Sequence, residues 1–323
     1  MKRQVAIIGT GWVGASVAIS TLHSGVVDEL LLHDAREDVA EGEAMDLAHG
    51  ASFYPSATVR TASLDEIASV DVIVIAAGRG GKPGESRLDL LRDNAALTRE
   101  FGQRLRGLRG IVVMVTNPVD VLTQVMTEAS GLPPERVLGT GTMLDTARLR
   151  QVLGRELEVD PRSVHGQVIG EHGDSEVVLW SSAAVGGIRL RDWPKWNSAR
   201  EPEIATEVRR AAYEIIKRKG ATNHAIGLVA ADLVQCLLRD EGRVLTVSRV
   251  QTGTAGVDGV SLSLPAIVGS GGATTVIAPE MDDKEREGLA RSADVLRKAV
   301  GEASQSQRLG VSEEHREPTG GAA

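Results

Sequence analysis

The chain has 323 residues, enough for two domains sharing a substantial core. Its apolar fraction of 42% and charged fraction of 25% are ordinary globular values, and aromatics at 2% leave the core to Val, Leu, Ile and Ala. A net charge of -8 argues against an extended nucleic-acid footprint, and no apolar run approaches the roughly 18 residues of a membrane span.

The amino terminus, MKRQVAIIGTGW, has a short apolar run that glycines interrupt before it reaches the length of a secretory core. The expectation is a soluble cytoplasmic protein. Apolar runs at Val5–Ile8, Glu29–His33, Val70–Ala76 and Ile111–Val115, with a shorter one at Arg136–Leu138, alternate with helical stretches. They are continuous rather than alternating, as strands covered on both faces are. This predicts an α/β fold with a Rossmann-type parallel-sheet domain over residues 1–141. After about residue 142 the rhythm changes to an α+β substrate domain, 142–304, with strands at Ser163–Ile169, Val244–Val250 and Ser261–Val268. In IATEVRRAAYEIIKRKG the positions Ile204, Val208, Ala211, Ala212, Ile215 and Ile216 follow helical spacing and predict one buried face. The lone Cys236, in LVQCLL, cannot form an internal disulfide, makes a poor metal ligand by itself and reads as a buried thiol; no metal is expected. A final amphipathic helix is expected over residues 282–303, and the polar tail 305–323 is expected to be disordered.

Residues 9–14, GTGWVG, form a G-x-G-x-x-G directly between the first strand and a helical stretch. Gly9 allows the tight turn, Gly11 a close backbone approach by a pyrophosphate, and Gly14 close packing of helix on strand. The amino terminus of the helical stretch Ala15–His23 then favours phosphate charge, and Trp12 and Val13, inside the motif, are expected among the cofactor contacts. Asp34 ends the next strand 20 residues after Gly14, placed to accept hydrogen bonds from an adenosine ribose and to repel a 2′-phosphate, so NAD is the expected cofactor. Arg36 softens that preference. Gly78 follows the next run, at the same edge of the sheet.

GTMLDTARLR (141–150) carries Asp145 and Arg148 on the side of the helix occupied by Leu144, Leu149 and Val152, with Thr146, Arg150 and Gln151 pointing elsewhere. Two charges on an apolar stripe are either a buried structural pair or a functional one. IGEHGDSE (169–176) adds His172, a side chain suited to exchanging a proton near neutral pH, with Asp145, Asp174 or Glu171 as its possible partner. GRGGKPGESR (78–87) is either an exposed loop or a lid carrying Arg87. Asn117–Pro118 ends a strand at the carboxyl edge of the sheet, where open α/β folds bind ligands.

Taken together, GTGWVGAS, the Asp34 strand end, EGEAMDLAHG, KPGESRLDLL, VTNPVD, GTMLDTARLR and IGEHGDSE resemble, in order over residues 4–302, the lactate/malate dehydrogenase family, and within it the bacterial NAD-dependent L-lactate dehydrogenases. The resemblance implies an oxidoreductase of glycolysis acting on a small 2-oxo or 2-hydroxy acid, and a homotetramer. It implies His172 as proton carrier, Asp145 as its orienting partner, Arg148 as the grip on the substrate carboxylate and Arg87 as the group that polarises the carbonyl. Asn117 would lie near nicotinamide and substrate, and Thr222 would line the pocket. One position departs from the family. Where lactate enzymes have Gln and malate enzymes Arg, this chain has Gly81, followed by Lys82. Without a cation there malate is disfavoured, and a roomier pocket is expected to admit bulkier 2-oxo acids. Arg150 and His165 match the pair carried by relatives activated by fructose 1,6-bisphosphate, which makes them an expected allosteric site.

Overall fold

The computed structural model describes residues 2–80 and 87–313. The first part alternates strand and helix: β1 (Gln4–Ile8), α1 (Trp12–Ser24), β2 (Glu29–His33), α2 (Glu37–His49), β3 (Thr58–Thr61), α3 (Leu64–Ile67), β4 (Val72–Ile75), α4 (Arg87–Arg104), β5 (Ile111–Met114), α5 (Val119–Ser130) and β6 (Val137–Gly139). Of these six strands, β3 alone is not anticipated. It holds a single aliphatic residue and has no fully buried position, so it carries no apolar run.

The rest comprises α6 (Met143–Leu157), β7 (Val164–His165), β8 (Val168–Ile169), β9 (Val177–Val178), β10 (Ala184–Val185), β11 (Ile188–Arg189), α7 (Glu201–Lys219), α8 (His224–Leu238), β12 (Arg243–Thr252), β13 (Asp258–Gly269), β14 (Gly272–Val276) and α9 (Asp283–Glu313). The single strand expected over 163–169 is two, β7 and β8, each in its own small sheet. Strands β9, β10, β11 and β14 are also not anticipated. The last helix, α9, runs past residue 303 to Glu313, so residues 305–313 of the expected tail are helical; the final ten lie outside the described residues.

Strands β3-β2-β1-β4-β5-β6 are parallel and lie in that order. Winding therefore reverses between β1 and β4, which opens a crevice at their carboxyl ends. On the far side, β12 pairs with β6 antiparallel through Ser248 and Gly139. β13 and β14 follow, so one nine-stranded sheet runs through both segments expected as separate domains.

Alternation along each strand feeds two apolar layers. Val5 and Ile7 pack with Val17 and Leu22 of α1 and Leu233 of α8. Ala6 and Ile8 pack on the other face with Leu91 of α4 and Leu122 of α5. Cys236 is fully buried in the first layer. A third cluster joins Leu149 and Leu153 of α6 to Val164, Val168, Ile204 and Val208. The buried face predicted for α7 holds only in its first half: Ile204 and Val208 are buried, whereas Ile215 and Ile216 are 39% and 47% exposed. The helix runs beyond the body it packs on.

Candidate active site

The turn after β1 is built by glycine. Gly9 adopts φ +94°, and a Cβ there would fall 2.4 Å from the Ala77 nitrogen. A Cβ on Gly14 would fall 1.8 Å from the Gly9 carbonyl oxygen, so both positions serve close packing of β1, α1 and β4. Gly11 faces open space. It is also the N-cap of α1 and offers no side-chain cap, which leaves the first N–H groups of that helix, at Trp12 and Val13, to an anion. A cleft of about 520 Å³ opens beside this turn, lined by Gly9, Gly11, Asp34, Gly78, Arg79 and Asn94 among others. Trp12 and Val13 do not line it. The Trp12 side chain, 65% exposed, lines a second cleft with Ser16, Ile19 and Asn223, and Val13 packs on the core.

Asp34 is held by three donors. Its Oδ2 accepts from the Thr10 N–H at 2.9 Å and the Thr10 hydroxyl at 3.3 Å, and its Oδ1 from the Arg36 N–H at 3.0 Å. Burial opposes ionisation, but these bonds and the Arg36 charge outweigh it and keep the carboxyl below its ordinary pKa. The Arg36 side chain lies 3.6 Å away and is largely exposed.

The histidine–carboxylate–guanidinium cluster forms where α6 meets the segment after β8. Asp145 is 2% exposed and uses both oxygens: Oδ2 lies 2.5 Å from His172 Nδ1, and Oδ1 accepts from Arg148 at 2.8 Å. This selects Asp145 from the three carboxylates that the sequence leaves open. Asp174 instead accepts from the Tyr213 hydroxyl, and Glu171 from Ser175. Burial alone would lower the His172 pKa, but the charge and hydrogen bond of Asp145, helped by Asp120, overcome it and raise the imidazole to about 9. In return, His172 and Arg148 overcome the burial of Asp145 and keep it anionic.

Three residues that the sequence does not single out complete the centre. Asp120, in the first turn of α5, accepts from the His172 backbone N–H at 2.7 Å. Asn94, buried on α4, accepts from the Arg79 N–H at 3.0 Å and donates to the Asn117 carbonyl at 3.1 Å, which joins the Gly78 turn to the Asn117 turn. Glu176 is 5% exposed, and burial lifts its carboxyl to about 8. Asp120 and Glu176 sit within the quoted motifs VTNPVD and IGEHGDSE, but nothing local marks them as buried.

Asn117 is exposed at the end of β5, and its peptide bond to Pro118 is cis. Gly78 is exposed at the cleft, and Thr222 is half-buried in the connection between α7 and α8. Neighbouring Asn223 ties that connection to α1 through Ser16, at 2.9 Å. Gly81, Lys82 and the side chain of Arg87 lie outside the described residues. Thr146 departs from expectation. It is 7% exposed, accepts from the Val168 N–H at 3.0 Å and bonds the Thr246 hydroxyl at 3.2 Å, because α6 is covered on that side too. Arg150 is half-buried, donates to the Gly166 carbonyl at 3.2 Å, and lines a cavity of about 580 Å³ with Arg162, Gln167, Asp232 and Arg243. His165 is exposed on β7 and is not among that cavity's lining residues.

Family models match nearly the whole of this architecture: the lactate/malate dehydrogenase NAD binding domain over residues 3–139 and the alpha/beta C-terminal domain over 142–307. The chain belongs to the lactate/malate dehydrogenase family. Its cofactor is NAD, and the cleft fits it: an open Gly11, an uncapped helix start and a carboxylate at Asp34. The L-lactate dehydrogenase of Synechococcus sp. is 44% identical over 298 residues, 91% of this chain and 97% of that protein. That of Moorella thermoacetica is 43% identical over 309 residues, 93% of this chain and 98% of that protein. Among solved structures, the minor L-lactate dehydrogenase from Enterococcus mundtii in its ligands-bound form superposes with a TM-score of 0.90 at 38% identity, covering 93% of this chain and 98% of that one. The relatives and the solved structure named here are all L-lactate dehydrogenases.

Proposed function

We propose that this dehydrogenase interconverts L-lactate and pyruvate. The observation that carries the proposal is the contact set Arg148–Asp145–His172, which joins an anion grip, a buried carboxylate and a proton carrier. NAD(H), when bound, supplies the hydride acceptor or donor. Arg148 spends one N–H on Asp145 and has the remaining donors of its fork for a carboxylate, which a planar guanidinium matches on two oxygens at once. In the reducing direction His172 enters protonated and gives its proton to the carbonyl oxygen as that oxygen gains charge. In the oxidising direction the neutral imidazole takes the hydroxyl proton. Asp145 fixes the ring and balances the imidazolium. Arg87 polarises the carbonyl, Asn117 and Thr222 bound the substrate, Gly9, Gly11, Gly78 and Asp34 border the cofactor, the Trp12 and Val13 N–H groups serve its phosphates, and Gly14 lets α1 pack on the turn.

Gly81 favours a monocarboxylate. A second carboxylate entering a closed site with no partner would carry its desolvation cost uncompensated. The test is a panel of 2-oxo acids with NADH: pyruvate, 2-oxobutyrate, phenylpyruvate and oxaloacetate. Reduction of pyruvate or a bulkier monocarboxylate ahead of oxaloacetate is expected; a preference for oxaloacetate sinks the lactate reading.

A homotetramer in the cytoplasm is part of the same reading. Exposed apolar side chains support assembly: Trp12 at 65%, Met45 at 56%, Phe53 at 83%, Leu228 at 65% and Ile216 at 47%. Among the described residues no helix is long and apolar enough to cross a membrane. Activation by fructose 1,6-bisphosphate draws support from the cluster of Arg150, Arg162 and Arg243, three guanidiniums around one cavity. His165 would have to reach a shared ligand from another subunit.

A further inference from the structure

We propose that Asp120 is a positioning residue for the reaction: it anchors the main chain of His172 to the Asn117 turn and biases the imidazole toward its protonated, reducing form. The inference rests on the assignment of His172 as proton carrier.

Asp120 lies three residues after Asn117, in the first turn of α5, and is 2% exposed. Its Oδ2 accepts the His172 backbone N–H at 2.7 Å, across 52 residues of chain. This bond ties the segment carrying the proton carrier to the end of β5, where Asn117 sits. Its Oδ1 is buried with no hydrogen-bond partner among the described residues. The Ser248 side chain and the His172 N–H oppose the effect of burial on this carboxyl, and its field also acts on the imidazole beside it. Burial raises the Asp120 carboxyl to about 6, below the value for His172, so over the interval between them Asp120 is charged and the imidazole keeps its proton.

The charges around the ring explain the bias. Asp145 and Arg148 face it from α6, Asp145 raising its proton affinity and Arg148 lowering it by less. Asp120 faces it from α5, next to Ser248 of β12 and Glu171 of the histidine's own segment. Glu176 follows in that segment, faced by Arg209 of α7. Counted together, the two carboxylates are matched by Arg148 and a protonated His172, with Asp145 acting most strongly on the ring and Asp120 adding to it. An incoming 2-oxo acid is an anion, so it meets a centre that is neutral rather than negative. Without Asp120, the ring would be neutral over more of the working range, which favours oxidation of the hydroxy acid.

The experiment follows pyruvate reduction and lactate oxidation against pH in wild type, Asp120→Asn and Asp120→Ala, with NADH binding and circular dichroism to verify the fold. The Asn variant keeps an acceptor for the His172 N–H, and the Ala variant removes the unpartnered Oδ1 together with that acceptor if the first does not fold. The expected result is that the alkaline limb of kcat/KM for reduction moves down by about one pH unit or more, tenfold in the proton affinity of the ring. The rising limb of lactate oxidation should move with it. Glu176 is present in every enzyme compared, so its own titration cancels in the difference. Unmoved limbs in both folded variants, alongside an inactive His172→Asn, overturn this role for Asp120 alone. Turnover by His172→Asn overturns the underlying assignment and this inference with it.

Discussion

His172 Nδ1 and Asp145 Oδ2 lie 2.5 Å apart, joining residues 27 positions distant in sequence. Asp145 is almost fully buried and the histidine side chain is 21% exposed, so one end of the pair is sealed while the other faces the site. That asymmetry suits the proposed proton carrier, whose second ring proton would trade with a substrate while the first stays fixed.

The pair predicts opposite pH profiles for the two directions. The imidazole is raised to about 9, so below that value it is protonated and reduction of pyruvate should hold a plateau. Above it the proton is lost and reduction should fall, while lactate oxidation, which needs the neutral ring, should rise through the same value. Initial rates at low substrate in both directions test this, and limbs that do not mirror each other would rule out a shared group.

Arg148→Lys should raise the KM for pyruvate about tenfold or more. A lysine ammonium gives a point contact where the guanidinium gives two parallel bonds, and a charged hydrogen bond contributes about 1.5–3 kcal/mol. Steady-state kinetics decide the matter: unchanged KM and kcat would mean that the carboxylate is held elsewhere.

Asp34→Ala should weaken NADH binding and narrow its advantage over NADPH. Thr10 and Arg36 now bond to this carboxylate, so its removal also frees Arg36 to meet a 2′-phosphate. Fluorescence titration with both cofactors measures it. A ratio of affinities that does not move would reduce Asp34 to a brace for the glycine turn.

Glu176→Gln should protect the fold at alkaline pH. Burial raises the carboxyl to about 8, above its value of roughly 4.3 in an unfolded chain, so the fold prefers the neutral acid. The stability this gives is complete below the unfolded value and is lost as pH rises through about 8. The Gln variant cannot ionise. Its melting temperature should therefore fall less than that of the wild type between pH 6 and pH 9, by a few degrees, while an equal fall in both would show that Glu176 ionises without cost.

The local signals in the sequence are those that need only neighbours along the chain. Continuous Val/Ile/Leu runs place β1, β2, β4 and β5, because a strand buried on both faces has no polar side to show. GTGWVG marks the cofactor turn, since only glycine satisfies the contacts at Gly9 and Gly14. The motifs around Asp145 and His172 name the chemistry, yet the choice among Asp145, Asp174 and Glu171 as partner stays open until α6 is brought against the segment after β8. The same packing buries Thr146, which an isolated helical wheel turns outward. Asp120 and Glu176 become significant only through burial: a carboxylate in a helix's first turn is ordinary in water and consequential 2.7 Å from the backbone of His172. Continuity of the sheet from β6 to β12 is likewise a tertiary fact, fixed by a pairing between residues 139 and 248 that no local pattern encodes. Distance along the chain decides what is legible: a hydrophobic period repeats within a few residues, whereas a pKa, a cavity wall or a second carboxylate beside a histidine exists only once remote segments share one low-dielectric space.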